Sequence, residues 1–454
     1  MHVTRKIKVI LIVLDGLGDR TYEVLGHRTP LAAAATPNLD KLARMGANGT
    51  YHAGVPGQCL PSENAHFLMF GYDMAAFPGR GFLEAAGFGV PCGDKDVAIL
   101  AHLCRVRFSG GIPHLEYGRD EITGTRDELA PLYERLTPYE TNGAVLELHH
   151  TRRNEAILVA RGNVSPDISD SDPIYTHAPV GRIVPLAEST DPLLAKKTAD
   201  YMNQYLAWCC RRLKGVKAAG KSKDPAVRGN FLVTQRAGRR VDQQLFSDKW
   251  GFSPAMIASG GLFKGIAMTL GFDFSEAADT GAPGGDLAER IRMALDDEAH
   301  DFVHVHTKVP DEVSHNGTPE LKTEVIAALD GGFAGLLKVL GKREDLLAVI
   351  TADHSTPACS GLVHSGETVP VIMAGTAIRR DRVDRFDEIA AVTGSLGFLR
   401  GAELMHMVLN CTDRAILEGL RLGAVRRPFL RVDYPLFVTA PAVKRGRKQE
   451  PLPE

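Results

Sequence analysis

The two ends of this chain share a pattern that its middle lacks. Lys8–Leu14 (KVILIVL) is an unbroken apolar run rich in Val and Ile, which is how a strand buried on both faces of a parallel sheet reads. It stops at Asp15-Gly16-Leu17-Gly18, a loop sequence. Pro37–Met45 (PNLDKLARM) then has helical spacing, opened by Thr36-Pro37 and closed by Gly46. The far end repeats the alternation. It predicts a helix over Asp286–Glu298, a strand over Asp301–Thr307 (DFVHVHT) and a long helix over Pro319–Leu340. Strands over Leu346–Thr351 (LLAVIT) and Thr368–Ala374 (TVPVIMA) follow. Strands alternating with helices predict an α/β fold built on a parallel sheet.

The middle mixes short strands (Val97–Arg107, Ala156–Ala160, Phe231–Thr234) with one helix over Leu193–Leu213. Because the ends match each other better than they match this region, it reads as an insertion. The expected organisation is a discontinuous first domain (1–94 and 241–443), a smaller α+β domain over 95–240, and a frayed basic tail over 444–454. Lys214–Gly229, rich in Lys and Gly, is expected to be a mobile surface loop.

The 454 residues, 44% hydrophobic and 24% charged, are ordinary for a folded globular chain. A chain this long needs no metal or disulfide merely to fold, so any metal is expected to be functional. Lys plus Arg number 53 against 55 Asp plus Glu. That balance offers no general attraction for nucleic acid or an anionic membrane, and no stretch has the length of a membrane-spanning helix. The 7 cysteines form no CxxC pair and read as incidental thiols of a reducing, cytoplasmic compartment.

Four places carry chemistry, each in a loop or just after a predicted strand. They are Asp15; Pro61-Ser62-Glu63-Asn64-Ala65-His66; Asp311 with His315; and Asp353-His354-Ser355-Thr356, followed by His364. In open parallel sheets ligands bind outside the carboxyl ends of strands. Carboxylates and imidazoles gathered there suit Mn²⁺, Zn²⁺ or a related divalent ion, and the absence of thiolates argues against a structural zinc cage. Two such ions clamp the attacking and leaving oxygens of a phosphoryl displacement, with Ser62 as candidate nucleophile. Each piece alone has a plainer reading: Asp15-Gly16 as a turn, Asp353 or Ser355 as a helix cap, Ser62 as a turn hydroxyl, His304 as a packed or exposed histidine. Their common placement favours a dinuclear site. Walker, dinucleotide, GxSxG and HExxH motifs are missing from the sequence.

LIVLDGLGDR (11–20), TPLAAAATPNLDKLARMGANG (29–49), PSENAHFLMFGYD (61–73), GRGFLEAAGFGV (79–90), SPDISDSDP (165–173), HTKVPDEVSHNG (306–317) and TADHSTPACSGLVHSGETVPVIM (351–373) resemble, in order, the motifs of the archaeal-type cofactor-independent phosphoglycerate mutases. That family belongs to the alkaline phosphatase superfamily of metalloenzymes. The resemblance implies an alkaline-phosphatase-like parallel-sheet sandwich domain with a smaller inserted α+β domain. It implies two divalent ions, Mn²⁺ foremost with Zn²⁺, Co²⁺ or Mg²⁺ as alternatives, and no organic cofactor. One ion would be held by Asp311, His315 and His364, the other by Asp15, Ser62, Asp353 and His354. Ser62 would take the phosphoryl group from 3-phosphoglycerate and return it to the 2-hydroxyl. Asp172 and Lys308 match catalytic positions, and Arg161, Asp170, Arg236 and Lys264 match substrate-binding positions. The expected partner is a small phosphorylated acid.

Two departures stand out. Pro61-Ser62-Glu63-Asn64 replaces the family's Gly-Ser-Asp-Thr, and the strand VAILAHLCRV with the later HLEYGRDEIT lacks most of an arginine cluster. Arg105, Arg107 and Arg119 are unaligned substitutes. The departures leave a second expectation open: a related phosphotransferase or phosphomonoesterase acting on another small phosphorylated or phosphono acid. A non-catalytic binding protein on the same scaffold is the third.

Overall fold

The run KVILIVL forms a central strand whose seven residues are all buried, because it has a parallel neighbour on each side. The structure is a computed structural model and describes residues 6–118, 122, 124–214, 229–376, 378–431 and 434–437. Among these the strands are, in chain order, β1 (Lys8–Leu14), β2 (Ala47–His52), β3 (Val97–Ser109), β4 (Ile112–Tyr117), β5 (Tyr139–Glu140), β6 (Ala144–Arg152), β7 (Glu155–Gly162), β8 (Phe231–Gly238), β9 (Pro254–Ala258), β10 (Asp273–Glu276), β11 (Phe302–Thr307), β12 (Leu346–Thr351), β13 (Val369–Gly375) and β14 (Gly397–Arg400).

The larger sheet has the order β10-β9-β11-β1-β12-β13-β2-β14. Its central strands β11, β1 and β12 are parallel, with Val13 opposite both His306 and Thr351, so their carboxyl ends open together on one edge. This is the α/β layer the sequence predicts, with one correction. β13 runs antiparallel to both β12 and β2. A parallel return requires a long crossover, usually a helix, and the 17 residues between Thr351 and Val369 contain none.

The predicted helix Pro319–Leu340 is also corrected. It divides into Pro319–Asp330 and Ala334–Leu340 around a tight turn, Gly331–Phe333. Two adjacent glycines weaken the helix there, and Asp330 is engaged elsewhere. Its carboxylate accepts the backbone N–H groups of Asn38 and Leu39, capping the start of helix Pro37–Met45, whose own N-cap Thr36 makes no such bond. The remaining predicted elements differ from the observed ones only at their ends.

The second sheet, β4-β3-β7-β6-β5 with β8 on β3, lies wholly within residues 97–238. It has its own apolar core, formed with helix Pro192–Leu213 through Ala199, Tyr205 and Leu206. Residues 215–228 and 438–454, which hold most of the predicted mobile loop and the whole basic tail, lie outside the described residues, as does Arg119.

Helix Arg80–Phe88 joins the two layers. On one side it touches helix Gly261–Leu270 backbone to backbone: a Cβ on Gly265 would lie 1.8 Å from the Leu83 carbonyl oxygen. On the other, a Cβ on Gly81 would lie 2.2 Å from the Ala98 carbonyl oxygen on β3. Glycine is required at both contacts because nothing larger fits. No helix of the described residues is long and apolar enough to cross a membrane.

Candidate metal centre

The carboxyl ends of β1, β11 and β12 deliver the predicted residues to one place. Asp15 follows β1 directly. Asp311 and His315 lie one turn apart on helix Val309–Asn316, just beyond β11, where an i, i+4 spacing puts them on one face. Asp353 and His354 follow β12. Two groups of metal-binding atoms result, each within 4.8 Å: Asp15, Asp353 and His354, all buried, and Asp311, His315 and His364, more open. His354 and His364 stack with centroids 3.9 Å apart, so the groups adjoin.

Ser62 is the first residue of helix Ser62–Met69, whose N-cap Pro61 offers no side-chain cap. The first amides of that helix therefore have no intrahelical partners. Ser62 Oγ lies 3.3 Å from each oxygen of Asp15 and 3.1 Å from His354 Nε2. A hydroxyl so placed faces both a carboxylate and the end of a helix dipole that favours negative charge.

Electrostatics within the buried group are strongly divided. Burial opposes ionisation of Asp15, but hydrogen bonds from His306 and His354 outweigh it and hold the carboxyl well below its usual range. Burial and the charge of Asp15 hold Asp353 well above that range. His354 resists its own burial because Asp353 and Asp15 attract a charge onto it, and it is pushed up to about 10. Burial and the neighbouring His354 push His364 down to about 4.

These residues fit divalent ions. Neutral His364 donates from Nδ1 to the Leu60 carbonyl at 2.7 Å, leaving a lone pair on Nε2 that faces Asp311 Oδ1 at 3.5 Å. Two acceptors facing each other call for a cation between them. Asp353 Oδ2 is buried with no hydrogen-bond partner among the described residues, and three carboxylates with three imidazoles and no thiolate suit Mn²⁺ or Zn²⁺.

The other predicted residues are distributed as follows. Arg236 lies on β8 with its Nη1 2.6 Å from Glu63 Oε1, and its backbone N–H donates to Asp170 Oδ1 at 2.6 Å. Its φ of 56° is left-handed, at an irregular stretch of the β3–β8 pairing, the kind of bulge that re-aims a side chain. Desolvation raises the Asp170 carboxyl. Asp172 accepts the Ile174 N–H through Oδ1 and faces His102 Nε2 at 3.3 Å through Oδ2. Lys308 begins helix Val309–Asn316 and pairs with Glu312 at 3.4 Å, and Lys264 is exposed on helix Gly261–Leu270. Arg161 bonds Glu147, Asp96 and the Pro91 carbonyl, tying β7 to its surroundings. Arg105 pairs with Glu116 on β4. A cleft of about 470 Å³ opens beside Ser62, lined by Pro61, Glu63, Asn64, Arg80, Arg236 and Arg239 among others.

Several contributors had no role assigned to them from the sequence. His306, on β11, lies 3.2 Å from Asp15 Oδ2, and His66 pairs its Nδ1 with the Ser62 carbonyl at 2.8 Å. With His304 they form a cluster of fully buried rings beneath Ser62. Glu63 is buried between Arg80 and Arg236. The strand pattern DFVHVHT, with two histidines inside a sheet-centre run, is the one local signal that pointed to His306.

A family model described as "Metalloenzyme superfamily" matches residues 7–411. The chain is 38% identical to the 2,3-bisphosphoglycerate-independent phosphoglycerate mutase 2 of Methanocaldococcus jannaschii, over 94% of this chain and 98% of that protein. It is 34% identical to the corresponding mutase of Methanopyrus kandleri, over 90% and 97%. Among solved structures it resembles the cofactor-independent phosphoglycerate mutase from Thermoplasma acidophilum, with a TM-score of 0.57 and 27% identity over 89% of this chain and all of that one.

Proposed function

The chain belongs to the metalloenzyme superfamily and, within it, to the 2,3-bisphosphoglycerate-independent phosphoglycerate mutases, and we propose that it interconverts 3-phosphoglycerate and 2-phosphoglycerate through a phosphoserine at Ser62. The observation that carries this reading is the placement of Ser62 Oγ at a helix start, 3.1 Å from His354 Nε2 and 3.3 Å from Asp15. Asp15, Asp353, His354 and Ser62 would hold one divalent ion and Asp311, His315 and His364 the other, with Mn²⁺ as the proposed ion for both; bound there, the pair would stabilise charge on the phosphoryl oxygens and favour the ionised serine.

In this reading Ser62 Oγ gives up its proton and attacks phosphorus as the bond to the 3-oxygen of glycerate breaks, and that oxygen takes up one proton, so none is gained or lost overall. The free amides of helix Ser62–Met69 face the transferred group's negative charge. Arg236, held on the cleft wall, grips an anionic group of the substrate, since a guanidinium binds carboxylate or phosphate bidentately. Desolvation raises the Asp170 carboxyl, which favours Asp170 over Asp172 as the aspartate that carries a proton; both oxygens of Asp172 are already engaged. Glycerate then turns within the cleft and its 2-hydroxyl accepts the phosphoryl group from Ser62. The second sheet closes the cleft and keeps water from the phosphoserine. Lys308 and Lys264 are read as further phosphate contacts, Arg161 as a support, and the cytoplasm as the site of this step of glycolysis and gluconeogenesis.

An enolase-coupled assay with 3-phosphoglycerate and Mn²⁺, without bisphosphoglycerate and with free phosphate followed in parallel, tests the reading. Fast product formation with little phosphate release supports the mutase. Predominant phosphate release supports phosphomonoesterase action instead, a reading favoured by one observation: Arg105, the first arginine on β3, is already paired with Glu116.

A further inference from the structure

Lys322 is fully buried, and its ammonium is surrounded by oxygen. The three N–H groups of Nζ are shared among four acceptors: the carbonyls of Gly16 (2.9 Å), Gly18 (3.1 Å) and Thr356 (2.7 Å) and Asp19 Oδ2 (3.0 Å). Asp19 is itself saturated: it accepts the Ala358 and Arg20 N–H groups and the Tyr22 hydroxyl.

These acceptors are not a random sample of the core. Gly16 and Gly18 belong to the loop that follows β1 and carries Asp15. Thr356 belongs to the loop that follows β12 and carries Asp353 and His354, and its N–H donates to the Gly18 carbonyl at 3.0 Å. The Thr356 hydroxyl donates to Asp311 Oδ1 at 2.7 Å and faces His354 Nδ1 at 3.1 Å. One threonine therefore touches both candidate ion groups. Lys322 itself stands on helix Pro319–Asp330, directly after the helix that carries Asp311 and His315. A single ammonium thus joins the three strand-end segments that supply five of the six residues in the two groups.

The loops also pack with no room for a side chain at Gly16. Gly16 has a φ of +66°, and a Cβ there would lie 2.6 Å from Thr356 Oγ1 and 2.8 Å from Asp311. A fully buried ion pair is poor evidence of stabilisation, because a well-packed apolar side chain often serves a core as well or better. What an apolar side chain does not do is hold three carbonyl oxygens from two loops around one point.

We propose that Lys322 is a positioning residue of the reaction: its ammonium clamps the loop after β1 to the loop after β12, so fixing the Asp15–Asp353–His354 group, and through Thr356 it sets that group's place beside Asp311 of the other. This rests on the reading of both groups as ion sites. Lys322 touches neither substrate nor reacting atoms; it acts through Gly16 and Thr356.

The test compares the full-length protein with Lys322→Met and Lys322→Gln. Each is stripped with a chelator and titrated with Mn²⁺, free Mn²⁺ being followed by electron paramagnetic resonance. Thermal unfolding of the metal-free form and kcat and KM are measured on the same samples. The wild type is expected to bind two equivalents. Lys322→Met is expected to bind at least one of them 10-fold or more weakly, with kcat reduced and KM nearly unchanged. Lys322→Gln, whose amide satisfies part of the oxygen cage, is expected to fall between. Should Lys322→Met not fold, the Gln variant decides. Affinities within twofold of wild type in a folded variant, with only the metal-free melting temperature lowered, would make Lys322 purely structural and overturn the proposal. A wild type that takes up no Mn²⁺ would instead remove the reading of the ion sites on which it rests.

Discussion

Glu63 and Arg236 form a 2.6 Å ion pair that joins the helix beginning with Ser62 to β8 of the second sheet. Glu63 is buried, and its other oxygen faces Arg80 Nη1 at 3.4 Å. Burial opposes its charge, but the two arginines outweigh that and hold its carboxyl below the usual range. The residue next to the proposed nucleophile is therefore also the one that places an arginine across the cleft.

Replacing Glu63 with Gln is expected to loosen Arg236 and to cost about 3 kcal/mol of stability, because a buried pair is broken from one side. The KM for 3-phosphoglycerate should rise about 10-fold. Steady-state kinetics and thermal unfolding check this together. An unchanged KM would mean that Arg236 does not meet the substrate.

Ser62→Ala should reduce mutase turnover by about 10⁴-fold or more, as expected when a nucleophile is removed, while changing stability by less than about 1 kcal/mol. Mass spectrometry of wild-type protein quenched during turnover should find phosphate on Ser62. Normal activity in the alanine variant would remove Ser62 from the chemistry.

Chelation should abolish activity, and Mn²⁺ should restore it. Because Asp15, Asp311 and Asp353 converge within the adjoining groups, added ions should also stabilise the fold, by about 2.7 kcal/mol at 100 times the dissociation constant of a site. Differential scanning calorimetry with and without Mn²⁺ measures the shift. A chelated, metal-free enzyme with full activity would rule out the mechanism.

Glu388 provides a prediction away from the site. Its Oε2 accepts the Thr29 hydroxyl at 2.7 Å, Oε1 has no partner among the described residues, and burial raises the carboxyl from 4.5 to about 7. Between those values the unfolded chain has released a proton that the native protein keeps. Glu388's contribution is therefore fully present below pH 4.5 and is lost as pH rises toward 7, by about 3 kcal/mol. Glu388→Gln should remove this slope, so its melting temperature should gain on wild type between pH 4.5 and 7.5. Parallel curves would assign the pH dependence elsewhere.

Much of the fold was legible because strands and turns are written locally. KVILIVL and LLAVIT declare buried strands by composition alone, and Asp15, Asp311 and Asp353 each follow such a strand by a few residues. The split of the helix at Gly331–Phe333 was harder to read, since Asp330 turns to accept the N–H of Asn38, 292 positions earlier, at the start of another helix. The reversed direction of β13 was missed for a similar reason: TVPVIMA reads the same in either orientation, and pairing decides the direction.

By itself, then, the sequence determined which segments become strands, that their carboxyl ends carry carboxylates and imidazoles, and, through its ordered motifs, the family. Only the tertiary structure decided which of these side chains meet. His364 faces Asp311, Glu63 holds Arg236, and Lys322 reaches the Gly16 carbonyl from 306 positions away. Periodicity and turn chemistry act over a few residues, whereas these contacts depend on the order and direction in which strands pair, and that is settled by burial of the whole core.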